Sequence, residues 1–240
     1  AGLRSFNREM PEEINRVVAD HVASRLLCPT QTAVRHLAAE GIVDGVENVG
    51  DVMYDVLRAM QPRLEQRAQT LLPSLHVAPR EFVLATIHRP VNTDDAEGMR
   101  GIAAALGALE LPVVFPMHPR TRRRTQEYGI LWSERVRLLE PVGYVDMLAL
   151  ECAAHRVVTD SGGVQKEAFP LGVPCVTVRD ETEWTETVEG GWNTLAGNHA
   201  DAIVAAVRRP APPPAQRNPF GAGDAAARMA QSFDTWPLGG

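Results

Sequence analysis

The sequence predicts an α/β protein built on a doubly wound parallel sheet, and three observations carry that prediction. Short, continuous apolar runs recur between residues 82 and 178, each of strand length and bounded by polar or turn residues. Segments with helical spacing lie between them, so strand and helix alternate as they do where crossover helices join parallel strands. The polar sequences that follow the runs hold His, Gly-Gly and Arg-Asp, at the carboxyl ends where such sheets keep their ligand crevice.

Taken in order, Pro11 followed by Glu12 and Glu13 opens a helix, because proline's fixed φ and acidic side chains both suit a first turn. Ile14, Val17, Val18, Val22 and Leu26 follow at helical spacing. A strand at 26–29, a helix over 30–40, a strand at 46–49 and a long helix over 51–72 complete a first αβ portion. Pro73 to Pro79 reads as a linker. Strands are then expected at 82–88, 113–117, 136–139, 156–159 and 175–178, apolar without alternation and therefore buried on both faces. Helices are expected near 95–109, 120–128, 144–153, 163–169 and 200–207. Pro210 to Pro214 breaks regular structure, and 224–233 closes the chain as a short helix. The domain reading is 1–72 as the end of a first domain, 73–79 as linker and 80–240 as a second domain.

With 240 residues, 45% of them hydrophobic and 22% charged, the chain can bury the core of one large or two small domains. No apolar run approaches the roughly 20 residues that span a bilayer, which argues against a membrane role. A formal charge of −6 argues against a nucleic-acid partner, and the one basic run, Arg120 to Arg124, sits within an acidic whole. Cys28, Cys152 and Cys175 lie far apart, with no CxxC or His-rich spacing. Buried, reduced thiols fit better than a disulfide framework or a zinc site, and a cytoplasmic enzyme fits best. The chain opens at Ala1 without a charged-then-apolar leader, which reads as a truncation and not as a signal-peptide junction.

Four segments could carry chemistry. In Thr159-Asp160-Ser161-Gly162-Gly163-Val164-Gln165-Lys166-Glu167 a strand ends, two glycines allow close backbone approach and a helix begins. Free N–H groups there suit a phosphate, Ser161 could cap the helix or donate to an anion, and Glu167 could accept from ribose hydroxyls; the plain alternative is a Gly-rich turn with a Ser cap. His88-Arg89-Pro90 directly follows a strand, where a histidine can exchange protons near neutral pH or simply make a structural hydrogen bond. His118-Pro119-Arg120 repeats that arrangement after the next strand. The acidic stretch from Arg179 to Glu186 reads most simply as a solvated loop leading into a helix, and Arg4 with Glu12 and Glu13 as ordinary helix-start charges.

Together these segments resemble a known family. Ala1-Gly2-Leu3-Arg4, Met10-Pro11-Glu12-Glu13-Ile14-Asn15-Arg16, Cys28-Pro29-Thr30, Gly50-Asp51-Val52, Thr86-Ile87-His88-Arg89 with Asn92, Met117-His118-Pro119-Arg120, the Thr159 to Gly163 run, Arg179-Asp180 and Asn218-Pro219-Phe220-Gly221 occur in this order in UDP-N-acetylglucosamine 2-epimerases of the non-hydrolysing type. Each motif is weak alone; their ordered co-occurrence over nearly the whole chain is specific.

The resemblance implies two Rossmann-like domains arranged as in GT-B glycosyltransferases, with this chain holding the second domain and the end of a truncated first. It implies a UDP-sugar as substrate, no metal and no cofactor, and a 2-acetamidoglucal intermediate formed as UDP leaves. By position, Glu12 resembles a catalytic carboxylate and His88 the active-site histidine that helps the departing phosphate. Ser161, Gly162, Gly163 and Glu167 resemble the residues that hold the diphosphate and ribose, and His118 resembles a histidine near the nucleotide-sugar pocket, a region that in some members serves a second, activating UDP-sugar. Family members are often dimers, so a homodimer is among the implied partners.

Three departures from the family pattern accompany the match. A second catalytic Glu usually precedes the Ala-Gly-Leu-Arg run, whereas this chain starts at Ala1, so the isolated chain is expected to bind UDP without turnover. Val91 stands where Glu is common and cannot replace its hydrogen bonds. Trp184 stands where some members carry Arg, and an indole can only stack or donate once. A hydrolysing relative that releases ManNAc and UDP is the alternative enzyme reading.

Overall fold

The computed structural model describes residues 1–213 and 218–234. Pro214, the last residue of the expected proline break, lies outside them. The chain opens with α1 (Pro11–Val22), β1 (Leu26–Cys28), α2 (Gln31–Ala39), β2 (Val46–Asn48) and α3 (Val52–Ser74). Next come β3 (Val83–Thr86), α4 (Pro90–Thr93), α5 (Ala96–Gly107), β4 (Val113–Pro116), α6 (Pro119–Glu127), β5 (Val136–Leu139) and α7 (Tyr144–Ala153). β6 (Arg156–Thr159), α8 (Gly162–Ala168), β7 (Cys175–Thr177), α9 (Thr185–Glu189), β8 (Asn193–Leu195), α10 (Ala200–Val207) and α11 (Ala225–Asp234) complete it.

Among the described residues, 1–60 with 218–234 form one compact unit, and 61–213 form a second. This division differs from the expected break at 73–79. α3 continues through Pro73 to Ser74, because burial of Leu64 and Leu72 outweighs the poor helix propensity of Pro62 and Pro73. The closing segment groups with the first unit through its hydrogen bonds: Asp51 N–H to Phe220 O, Ala226 N–H to Asp55, and Arg25 to Ser232.

In the first unit β1 and β2 pair in parallel, and Leu26, Cys28, Ala33 and Leu37 make the core. Periodicity locates α1 correctly but not the face it buries. Ile14, Val18 and Val22 are exposed, while Glu13 and Asp20 are buried. The buried carboxylates hold the preceding loop: Glu13 accepts from the backbone N–H groups of Ser5 and Phe6 and from Arg16. Asp20 accepts from Gly2 N–H and from Arg4, whose guanidinium also reaches Glu40 at 2.7 Å. A helix can therefore anchor by its polar side when every buried charge is paired.

The second unit is a six-stranded sheet in the order β5-β4-β3-β6-β7-β8, with every pairing parallel. One face packs Met99, Ile102 and Leu106 of α5 and Ile203 of α10; the other packs Leu72 of α3, Leu150 of α7, and Val164 and Ala168 of α8. Both faces are covered, as a doubly wound sheet requires. All of β3, β6 and β7 is buried, as expected, whereas edge strand β5 is partly exposed beyond Val136.

β8 has no counterpart in the sequence reading, because Asn193-Thr194-Leu195 carries no apolar run; pairing with β7 makes it a strand. Within the basic run, Arg120 and Arg124 pair with Asp94, and Arg122 with Glu140. Among the described residues, no helix is long and apolar enough to cross a membrane.

Candidate nucleotide-sugar site

The sheet's order reverses between β3 and β6: the chain runs from β3 outward to β5 on one side and from β6 outward to β8 on the other. Loops leaving these two strands at their carboxyl ends must diverge, and the gap between them is where open α/β sheets bind ligands. Thr86 pairs with Thr159 in register, and their buried hydroxyls lie 2.8 Å apart. His88 follows one strand by two residues, and Asp160-Ser161 follows the other directly.

Asp160 joins the two loops. Its fully buried carboxylate accepts from the backbone N–H of His88 at 3.1 Å, from that of Arg89 at 2.9 Å and from Asn92 Nδ2 at 3.0 Å. His88 Nδ1 lies 3.5 Å from Asp160 Oδ1, and the imidazole stays 45% exposed. The ring thus lies beside a buried carboxylate and stays accessible, an arrangement suited to proton transfer or to donation to an anion.

Ser161 is the N-cap of α8, its hydroxyl accepting from Val164 N–H, and its own N–H donates to Thr159 Oγ1 at 2.9 Å. The plain capping role therefore holds, and the hydroxyl hydrogen can still be donated outward. The two glycines differ. A Cβ on Gly162 would meet the Glu183 carboxylate at 2.4 Å, so any side chain there displaces Glu183. A Cβ on the exposed Gly163 would come no closer than 3.8 Å to Ser161 Oγ, leaving that backbone open to approach.

The segment after β7 is not the solvated loop its acidity suggests. Arg179, Thr182, Glu183 and Trp184 are each 6–7% exposed. Arg179 Nη2 meets Glu183 at 3.1 Å, and Lys166, the chain's single lysine, places Nζ 4.8 Å from the Trp184 ring centroid. Glu183 is folded against Arg179 of the same segment, which charge counting along the sequence cannot detect.

Glu167, 8% exposed on α8, accepts a hydrogen bond from the Tyr144 hydroxyl at 2.9 Å. His118 is exposed at the end of β4 and caps α6, its Nδ1 accepting from Arg120 N–H at 3.2 Å. That acceptance puts the neutral ring's proton on Nε2. His88, Ser161, Gly162, Gly163, Glu167 and His118 all belong to the second unit, at or near the carboxyl ends of β3, β4 and β6. Glu12 belongs to the first unit, exposed in the opening turn of α1, and its neighbour Glu13 is the one committed to structure.

The thiols do not supply a nucleophile. Burial pushes Cys175 up to about 12 and raises Cys28 and Cys152 as well, so all three are protonated near neutral pH. Cys152 is only partly buried, against the expectation of a fully buried thiol. Sequence reasoning gave no role to Asp160 or Tyr144. Both were findable in principle, as a carboxylate directly after a strand and an aromatic at a helix start on the crevice edge.

A family model described as UDP-N-acetylglucosamine 2-epimerase matches residues 1–234. A UDP-N-acetylglucosamine 2-epimerase homolog of Methanococcus maripaludis is 46% identical over 208 residues, covering 85% of this chain and 58% of the relative. The UDP-2,3-diacetamido-2,3-dideoxy-D-glucuronate 2-epimerase of Pseudomonas aeruginosa is 42% identical over 240 residues, covering 96% and 65%. The chain thus spans about three-fifths of the length of these curated relatives. Among solved structures, Methanocaldococcus jannaschii UDP-GlcNAc 2-epimerase in complex with UDP-GlcNAc and UDP superposes with a TM-score of 0.87 at 36% identity, over 98% of this chain and 67% of that one. The S. aureus MnaA–UDP structure gives 0.81 at 28%, over 98% and 65%.

Proposed function

This chain belongs to the UDP-N-acetylglucosamine 2-epimerase family, and from that premise we propose that it serves the interconversion of UDP-GlcNAc and UDP-ManNAc, with residues 61–213 as its UDP-binding part. The observation that carries the reading is the joining of His88 and the Ser161–Gly163 turn by the buried Asp160 at the sheet's switch point. The structures of relatives bound to UDP or UDP-GlcNAc support it.

In this reading the diphosphate lies on the Ser161 hydroxyl and the open backbone at Gly163, and Glu167 accepts from the ribose. The C1–O bond to UDP breaks while a base takes the C2 proton, and the electron pair of that C–H bond becomes the C1=C2 bond of 2-acetamidoglucal. UDP takes up the electrons of the C1–O bond, and donation from the His88 ring to the anion favours its departure. Return of a proton to the other face of C2, with attack of the UDP oxygen on C1, gives the epimer. The site holds UDP throughout, so that re-addition competes with loss.

Epimerisation is tested by NMR on a protein of full family length carrying these residues, incubated with UDP-GlcNAc. UDP-ManNAc is the expected product. Stoichiometric free ManNAc with UDP rejects the reading in favour of hydrolysis, and turnover of only a UDP-2,3-diacetamido uronate moves the substrate to the sugar named for the Pseudomonas relative.

A further inference from the structure

α7 and α8 both begin at the carboxyl edge of the sheet and run back along the same face, where they share one core. Tyr144 is the first residue of α7, and Glu151 lies two turns deeper on the same side of that helix. Both approach Glu167 of α8, in different ways. Tyr144, still 44% exposed at the rim, donates its hydroxyl to Glu167 Oε1 at 2.9 Å. Glu151 is completely buried, and neither carboxyl oxygen has a hydrogen-bond partner among the described residues. We infer that Tyr144 is a positioning residue for nucleotide recognition, its hydroxyl fixing the Glu167 carboxylate in the orientation that accepts the ribose hydroxyls.

Glu167 alone is a flexible side chain with broad terminal rotation, and a bond from the rim defines which way its carboxylate faces. Burial, and then the charge of Glu167, raises the Tyr144 phenol well above its ordinary range, so it remains a donor throughout the useful pH range. Burial, and then the same charge, raises Glu151 as well. A carboxylate held as acceptor by an obligate donor suits a vicinal diol.

This inference rests on the proposed UDP site, and the experiment separates the two. UDP and 2′,3′-dideoxyuridine diphosphate are titrated calorimetrically into the wild-type chain and into Tyr144→Phe, with thermal denaturation of both proteins as a folding control. Tyr144→Phe keeps the ring, and a loss of UDP affinity of about 3- to 10-fold is expected, with dideoxy-UDP affinity unchanged between the two proteins. Glu167→Gln serves as a second variant and should erase the preference for UDP over dideoxy-UDP. Equal losses for both nucleotides in Tyr144→Phe, or no loss for either, overturn the positioning role. Failure of the wild-type chain to bind UDP overturns the reading of the site itself, and this inference with it.

Discussion

Replacing Glu151 by Gln should change how stability depends on pH. Glu151 is 0% exposed, and its carboxyl is raised well above the ordinary value of 4.5 by burial and by the charge of Glu167. Below that ordinary value the group is protonated in both folded and unfolded chains, and its favourable contribution is fully present. Above it the unfolded chain releases a proton that the folded chain retains, so stability falls as pH rises, until the raised folded value is passed. The slope over that interval is about 1.4 kcal/mol per pH unit, which for a unit of this size is roughly 3–6 °C in Tm per pH unit.

Gln cannot titrate, so Glu151→Gln lacks this component. Burying an unpartnered carboxamide adds a cost of its own, but one that is constant with pH, and the observable is the difference in slope. Tm measured at half-unit steps from pH 4.5 to 7.5 should show the variant gaining steadily on the wild type as pH rises. Parallel curves across the range would mean that Glu151 ionises in the folded chain as readily as in the unfolded one, and the reading of its raised value would fail.

At the crevice, His88→Ala should lower turnover in the full-length enzyme by about 100- to 10,000-fold while UDP affinity stays within a few-fold. Ser161→Ala should instead weaken UDP binding by about 10-fold or more, as loss of a bond to a charged group does. Equal loss of UDP affinity in both variants would undo that division of roles. In the first unit, Arg4→Met leaves Asp20 and Glu40 without their shared cation, and a loss of about 3–5 kcal/mol is expected in urea unfolding. A loss below about 1 kcal/mol would place the network among ordinary surface pairs.

Apolar runs of four to seven residues marked β3, β4, β6 and β7, because a strand covered on both faces has little room for polar alternation. The alternation of strands with helices then fixed the doubly wound class, and His88 and Ser161 were legible because they sit where such a sheet ends its strands. β8 was not legible, since its identity comes from pairing with β7 and not from its own side chains.

Which side of α1 is buried was also not legible. Periodicity names the apolar stripe, but Glu13 and Asp20 are inward because distant N–H groups and Arg4 converge on them. The same holds for the site. Asp160 tying two loops, Trp184 under Lys166 and Tyr144 on Glu167 each join residues far apart in the chain. The sequence by itself determined the family, the sheet and the strand ends that carry the site, because these follow from local pattern and motif order. Only the tertiary structure decided which charges are paired and which carboxyl keeps its proton, because those depend on burial and on neighbours that folding supplies.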